Sequence, residues 1–88
     1  MPYTVKVLPA AQKQIRRLDP QIRRRVVQAI DKLTEDPRPL GVDKIAGSEA
    51  EWRVRVGDWR VIYEIHDDVL VVTVVAVGGR GQVYRMKR

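Results

Sequence analysis

The sequence predicts a single α+β domain over residues 1–88: an N-terminal strand, a helical hairpin, then an antiparallel β-meander, with the helices packed on one face of a four-stranded sheet. Three patterns support this prediction. The first residues alternate apolar and polar, the following stretch repeats apolar residues at helical spacing, and the period returns to two after residue 50. A chain of 88 residues can bury one modest core.

The first strand and the first helix follow each other directly. Residues 3–8 alternate apolar and polar side chains, which is the period of a strand. Pro9 suits the first turn of a helix, where a proline costs no intrahelical hydrogen bond. The apolar stripe expected for this helix consists of Ala10, Ala11, Ile15 and Leu18.

A second helix is predicted after the pair Asp19-Pro20, because aspartate is a favoured N-cap and proline a favoured first helical residue. The segment 36–39, which contains two prolines, ends it. Two helices joined by so short a turn form a helical hairpin. The apolar stripe of the second helix consists of Ile22, Val26, Ile30 and Leu33.

The second half of the chain is expected to form the meander. Residues 52–56 alternate strictly, and Gly-Asp at 57–58 offers a two-residue hairpin turn. The return strand covers 59–65, and Asp-Asp at 67–68 is the next predicted turn. The run 69–77 is almost wholly apolar, as a central strand would be, and a glycine pair ends it.

The hairpin turn determines which residues of its two strands lie opposite each other. Arg55 is then opposite Arg60, and Arg53 shares their side of the sheet. Like charges directly across a ladder destabilise a sheet, and an anion bound between them removes this repulsion. The alternative, equally open on these residues, is a solvated polar face with Asp58 and Glu64 as counter-ions. The other side, expected against the helices, carries Trp52, Val54, Val56, Val61 and Tyr63.

The tail of the chain is expected at the same end of the sheet as these arginines. With the turn at 67–68, Arg60 would lie opposite Val75 in the next strand, and Arg80 would follow just past the rim. Tyr84 comes four residues later. Four guanidinium groups and one phenol would make a phosphate site, because arginine binds phosphate oxygens bidentately and stays charged near neutral pH.

The charge balance points to a polyanionic partner. Lysine and arginine total 17 against 11 acidic residues, a net charge of +6. On so small a domain this favours nucleic acid, although basic surface can also serve solubility alone.

Composition also argues against several classes of site. The chain has no cysteine and one histidine, so neither a thiolate nor a histidine metal centre is expected, and no cofactor is predicted. His66 would lie about 20 Å from Arg60 along one strand, which disfavours it as a general base there. The N-terminus lacks a signal-peptide pattern, and the longest apolar run is too short for a membrane helix. A cytoplasmic protein without a membrane partner is expected.

Other basic and aromatic residues are candidates for contacts with a nucleic acid. Arg16, Arg23 and Arg24 belong to the predicted helices, where they either form solvated faces or bind nucleic-acid phosphates. Trp59, beside the turn, either stacks on a base or packs in the core. Lys44 is a further candidate in the segment before the hairpin.

An ordered set of motifs resembles the RelE/ParE toxin superfamily. The motifs are KIAG at 44–47, WRVRV at 52–56, WRVIYE at 59–64, VVAVGGR at 74–80 and VY at 83–84. None is specific by itself, but their order extends over essentially the whole chain. The resemblance implies the strand, helical hairpin and meander predicted above.

The RelE branch of this superfamily implies a ribosome-dependent endoribonuclease of a type II toxin–antitoxin system, with a RelB-like antitoxin, the ribosome and mRNA as partners. Its functional positions fall on Arg53, Arg55, Arg60, Arg80 and Tyr84. They imply metal-free cleavage by attack of the RNA 2′-hydroxyl on the adjacent phosphate. The branch often carries lysines on the second strand where this chain has Arg53 and Arg55. Arginine is a poor proton acceptor, so Tyr84 becomes the candidate base.

Two other functions are compatible with these residues. ParE-like relatives poison DNA gyrase, although they generally lack the full arginine and tyrosine set. A catalytically weakened member would bind ribosomes or the antitoxin without cutting RNA.

Overall fold

The computed structural model describes residues 2–45 and 51–79. This part of the chain forms an α+β domain, which confirms the predicted class, but its sheet has five strands rather than four. The additional strand has only two residues, too few to show a period in the sequence. The elements are β1 (Thr4–Val7), α1 (Pro9–Arg16), α2 (Pro20–Lys32), β2 (Asp43–Lys44), β3 (Glu51–Val56), β4 (Trp59–His66) and β5 (Val71–Gly79).

The strands lie in the order β1-β5-β4-β3-β2. β1 runs parallel to β5, and every other neighbouring pair is antiparallel. The apolar β5 is therefore an inner strand, as its composition predicts. No helix within residues 2–45 and 51–79 is long and apolar enough to cross a membrane.

Both helices pack on one face of the sheet and form the main core with it. Val26 of α2 and Leu33, the residue that follows this helix, are fully buried in this cluster, together with Tyr63 and Val74 of the sheet. The opposite face, here called the open face, carries only a small apolar cluster around Ile62 and Ala76. Among the described residues, charged side chains of β3 and β4 occupy much of the rest of the open face.

The helical hairpin begins and ends largely where the sequence predicts. Pro9 and Pro20 are the first residues of α1 and α2, and Asp19 is at the N-cap of α2. The Asp19 side chain makes no capping hydrogen bond, contrary to its expected role, and only its carbonyl accepts the Arg23 N–H at 2.8 Å. The Arg23 guanidinium donates to the carbonyls of Arg16 and Leu18 at 3.2 and 3.0 Å, and so satisfies the end of α1.

The β3–β4 hairpin has the predicted register. Its two-residue turn contains Gly57 with φ +61°, a conformation that glycine adopts without strain, and Arg55 lies opposite Arg60.

The predicted β4–β5 register is wrong. Arg60 lies opposite Gly78 instead of Val75. The turn is longer than the predicted pair, since it extends to Leu70 at φ 55°, and the pairing shifts between Ile62 and Tyr63. This bulge places Val75 as an extra residue in β5.

Two polar contacts fasten the segment after α2 to the sheet. The buried Tyr63 hydroxyl donates to the Pro37 carbonyl at 2.7 Å, and its burial raises the pKa of Tyr63 to about 12. Asp67 in the β4–β5 turn accepts from the Tyr3 hydroxyl at 2.6 Å and pairs with Arg38 at 2.8 Å. The hydrogen bond from Arg38 is the main cause that lowers the pKa of Asp67 to about 2, and the hydrogen bond from Tyr3 is the second. We call Tyr3, Arg38 and Asp67 the clasp.

Candidate functional site

The β3–β4 hairpin places a pair of arginines on the open face of the sheet. Arg55 and Arg60 lie directly opposite each other, an arrangement that puts Cβ atoms about 5 Å apart. Arg55 is exposed, whereas Arg60 is only 9% exposed. Gly78 lies opposite Arg60 on its other side and contributes no side chain. The site therefore pairs one buried guanidinium with one exposed guanidinium.

Arg60 has no counter-ion in the part of the chain that the structure describes. Its side chain takes part in none of the ion pairs or side-chain hydrogen bonds between described residues. A buried charge is normally paired because its desolvation is costly. A cation in this position, with another cation opposite, is a site to which an anion binds favourably.

Arg53 shares the open face but has a different environment. Its guanidinium donates to the Asp43 carboxylate of β2 at 2.8 Å, and this contact lowers the pKa of Asp43. Arg53 is therefore held by an ion pair beside the site rather than opposed by another cation. Sequence reasoning missed Asp43, because its contact depends on the two-residue strand that no periodic pattern reveals.

The far end of the open face is acidic. Glu51 and Glu64 lie opposite each other, and His66 contacts Glu64 at 3.0 Å. His66 pairs with Val71 at the end of the sheet away from Arg60. The structure thus agrees with the expectation that His66 stands apart from the arginines.

The structure does not bring Lys44 and Trp59 to the open face. Lys44 lies opposite Trp52 in β2, and Trp59 lies opposite Val56, so both occupy the helix side of the sheet. Trp59 is half-buried against the main core, so it packs there, the second of the two roles considered for it.

The candidate residues on the helices lie outside this cluster too. Arg16 and Arg24 are exposed, whereas Arg23 uses its guanidinium to cap α1. Arg80 and Tyr84, the remaining two predicted site residues, lie outside the described residues.

The arrangement can bind a phosphodiester through two guanidinium groups at the hairpin end of the sheet. Arginine offers paired N–H donors that match two phosphate oxygens, and burial of one partner strengthens the attraction. Within residues 2–45 and 51–79, no group of three histidine, cysteine or acidic side chains is placed to hold a metal ion.

Comparisons with known proteins find toxins of toxin–antitoxin systems. A family model described as "ParE toxin of type II toxin-antitoxin system" matches residues 5–84. Toxin RelG of Mycobacterium tuberculosis is 30% identical over 86 residues, which cover 97% of this chain and 99% of RelG.

Solved RelE structures share the fold. The RelE–RelB complex from Pyrococcus horikoshii matches with a TM-score of 0.82 and 30% identity, covering 94% of this chain and all of that one. The RelBE2 complex of Mycobacterium tuberculosis gives 0.79 and 26%, covering 91% of this chain and all of that one. The chain belongs to the RelE/ParE superfamily of type II toxin–antitoxin toxins, on its RelE-like branch.

Proposed function

We propose that this toxin is a ribosome-dependent endoribonuclease that cleaves mRNA without a metal ion, by attack of a 2′-hydroxyl on the adjacent phosphate. The observation that carries the proposal is Arg60, a buried cation opposite Arg55 with no acidic partner among the described residues. The scissile phosphate supplies the missing charge. Such a protein works in the cytoplasm, where ribosomes translate.

The arginine pair stabilises the transition state more than the ground state. Attack of the 2′ oxygen forms a fifth bond to phosphorus, and negative charge builds on the phosphoryl oxygens before the 5′ oxygen leaves. Arg55 and Arg60 are fixed by neighbouring strands, so little reorganisation is needed as the charge develops. Loss of one preorganised donor of this kind typically costs about 10²–10³ in rate.

The remaining steps require a proton acceptor and a proton donor. Arg53, held by Asp43, tunes the local potential. In this proposal Arg80 neutralises the 5′ oxygen or helps to supply its proton by holding a water molecule against it, and Tyr84 orients or deprotonates the 2′-hydroxyl. Arginine stays protonated near neutral pH and cannot accept the 2′ proton, so the base must be another group. Placement by the ribosome supplies much of the remaining acceleration, since positioning alone contributes several kcal/mol.

The partners of the toxin follow from its relatives and its charge. Solved relatives are RelE proteins in complex with RelB, and we assign this chain a RelB-like antitoxin. The exposed Arg16 and Arg24 of the helices are proposed to contact ribosomal RNA phosphates. Lys44, Trp59 and Arg23 are weaker candidates, because the fold places them away from the open face or in a capping role.

The test is cleavage of a defined message on programmed ribosomes, read by primer extension. Wild type should give discrete cuts, and Arg60→Ala and Arg80→Ala should each reduce their rate by about 10²-fold or more. Lys6→Ala is the matched control, because Lys6 is an exposed cation of β1 two strands away from Arg60. Cuts that persist at the wild-type rate in Arg60→Ala would contradict the proposed site.

A second candidate function is inhibition of DNA gyrase, favoured by the ParE description of the matching family model. A supercoiling assay with purified gyrase separates the two functions. Inhibition of gyrase by a protein that leaves ribosome-bound message intact would replace the nuclease proposal. If neither target responds, the toxin is a binding-only member of the superfamily.

A further inference from the structure

The end of β5 that adjoins the arginine pair has a neighbouring strand on one side only. β1 pairs with β5 from Val71 to Val74, whereas the pairing of β5 with β4 continues to Gly79. Beyond Val74, no strand of residues 2–45 and 51–79 pairs with the other edge of β5. Strand ends open more readily than strand centres because fewer contacts hold them. The outward backbone groups at this end therefore need another partner.

A side chain of α1 supplies that partner. The Gln14 side-chain oxygen Oε1 accepts the Val77 backbone N–H at 2.6 Å. Val77 is only 1% exposed, so water has almost no access to this N–H. A buried N–H that loses its acceptor is destabilising, because water cannot replace the lost bond. Gln14 thus takes the place of the strand that β5 lacks at this point.

Gln14 occupies a position of α1 at which an apolar residue is expected. Ala11 is fully buried, Leu18 is nearly so, and Ile15 packs against the main core. Residues three or four apart share a face of a helix, so Gln14 lies on the same face as Ala11 and Leu18. The bond to Val77, which an apolar side chain cannot make, explains a polar residue in this stripe.

The effect of this bond reaches Arg60 through the backbone. Alternate residues of a strand direct their N–H and C=O groups to opposite sides, so an outward Val77 places those of Gly78 toward β4. Gly78 lies opposite Arg60, and the two residues then exchange backbone hydrogen bonds. Arg55, opposite Arg60 on its other side, repels it. The Gln14 bond therefore stabilises the strand against which Arg60 is set.

We propose that Gln14 is a positioning residue, which holds Val77 and so keeps Arg60 aligned for the charge that develops on the scissile phosphate. The inference rests on the proposed nuclease function and adds to it a residue on the helix side of the sheet. Gln14 acts through the backbone of β5 and not by contact with RNA. A purely structural role would lower the stability of the protein and leave the cleavage rate of folded molecules unchanged.

Two variants and a matched control separate these roles. Gln14→Leu removes the acceptor and suits the apolar stripe of α1, whereas Gln14→Glu keeps an oxygen that can accept the Val77 N–H. Gln12→Leu is the control, because Gln12 lies on the same helix and donates its side-chain amide to the Val7 carbonyl at 2.9 Å. That bond holds the end of β1, two strands away from β4.

Single-turnover cleavage on programmed ribosomes, at saturating toxin and with every variant folded by circular dichroism, measures the effect on chemistry. Gln14→Leu should be about tenfold slower, and the toxin concentration that gives half the maximal rate should change by less than about threefold. Gln14→Glu and Gln12→Leu should stay within about threefold of the wild-type rate. A wild-type rate in Gln14→Leu, equal slowing in Gln12→Leu, or failure of Gln14→Glu to restore the rate would each overturn the proposal.

Amide hydrogen exchange tests the same contact without catalysis. Exchange at the Val77 and Arg60 amides should be at least about tenfold faster in Gln14→Leu and should return to the wild-type rate in Gln14→Glu. Unchanged exchange at Arg60 would overturn the proposal even if the protein cleaves RNA. If the wild type cuts no message, the nuclease function fails, and exchange at Arg60 alone decides whether Gln14 holds this residue in place.

Discussion

Arg60 is a cation that folding removes from water without giving it a carboxylate among the described residues. Its neighbour across the ladder, Arg55, repels it. Both effects oppose folding, so the residue is retained at a cost in stability. Such a cost is expected where a side chain serves binding or chemistry.

Replacement of Arg60 by methionine should therefore stabilise the protein. Methionine keeps much of the length and the apolar stem while removing the buried charge, and we expect unfolding to become harder by about 1 kcal/mol. Urea unfolding followed by circular dichroism measures the change. Arg55→Met is the control, because that exposed side chain has little desolvation to recover. A destabilised Arg60→Met would mean that Arg60 is held by contacts that offset its burial.

The sequence predicts the identity of this pair but not its burial. Alternation and a two-residue turn are local, so they fix that Arg55 and Arg60 share a face. The β5 residue beside Arg60 depends on the β4–β5 register, and that register depends on a bulge at Val75. That strand is apolar on both faces, so a shift of one residue leaves no mark in its pattern.

At the scale of elements, a side chain that was a candidate for RNA binding connects the two helices. Arg23 lies in the first turn of α2, and its guanidinium donates to two carbonyls at the end of α1. Sequence spacing predicts both helices correctly, but it does not predict which of the consecutive arginines caps its neighbour. The cap ties the two helices at their junction.

Arg23→Ala should destabilise the protein by about 1–2 kcal/mol through the loss of these two hydrogen bonds. Arg24→Ala, an adjacent exposed arginine, should change stability by less than about 0.5 kcal/mol. If Arg24 contacts a ribosomal phosphate, its loss should instead lower the salt slope of ribosome binding by about one. Chemical unfolding and filter-binding titrations measure the two effects. Equal stability of the two variants would show that the capping bonds contribute little.

At the scale of the whole molecule, the clasp joins parts that are distant in sequence. Tyr3 and Asp67 are 64 positions apart, and Arg38 lies between them. Arg38 also stacks over Trp52, with its guanidinium carbon 5.2 Å from the ring centre. Sequence patterns did not predict the clasp, because none of its members repeats at a helical or strand period. In the sequence, the clasp is visible only as three polar residues that lie beside turns and strand ends.

Asp67→Asn should remove a pH dependence of stability. The pKa of Asp67 is lowered to about 2 from an ordinary value of 3.8, so its contribution is fully present above that ordinary value. The contribution is lost as pH falls from 3.8 through about 2, where Asp67 has taken up a proton in half of the folded molecules. Wild type should therefore be more stable than the variant at pH 7, and most of the difference should be gone by about pH 2. Thermal unfolding across this range, with Asp68→Asn as control, tests the prediction. A difference that stays constant down to pH 2 would contradict it.

The parallel pairing of β1 with β5 has a consequence for how the toxin is made. Thr4 pairs with Val71, so the first strand finds its neighbour only after most of the chain has been synthesised. Contacts of such long sequence separation form late, since the intervening segment must first be ordered. Synthesis proceeds at about 5–20 residues per second, so a nascent toxin remains incomplete for seconds. The toxin therefore completes its sheet only after β5 has been synthesised, when most of the chain has already left the site of peptide-bond formation.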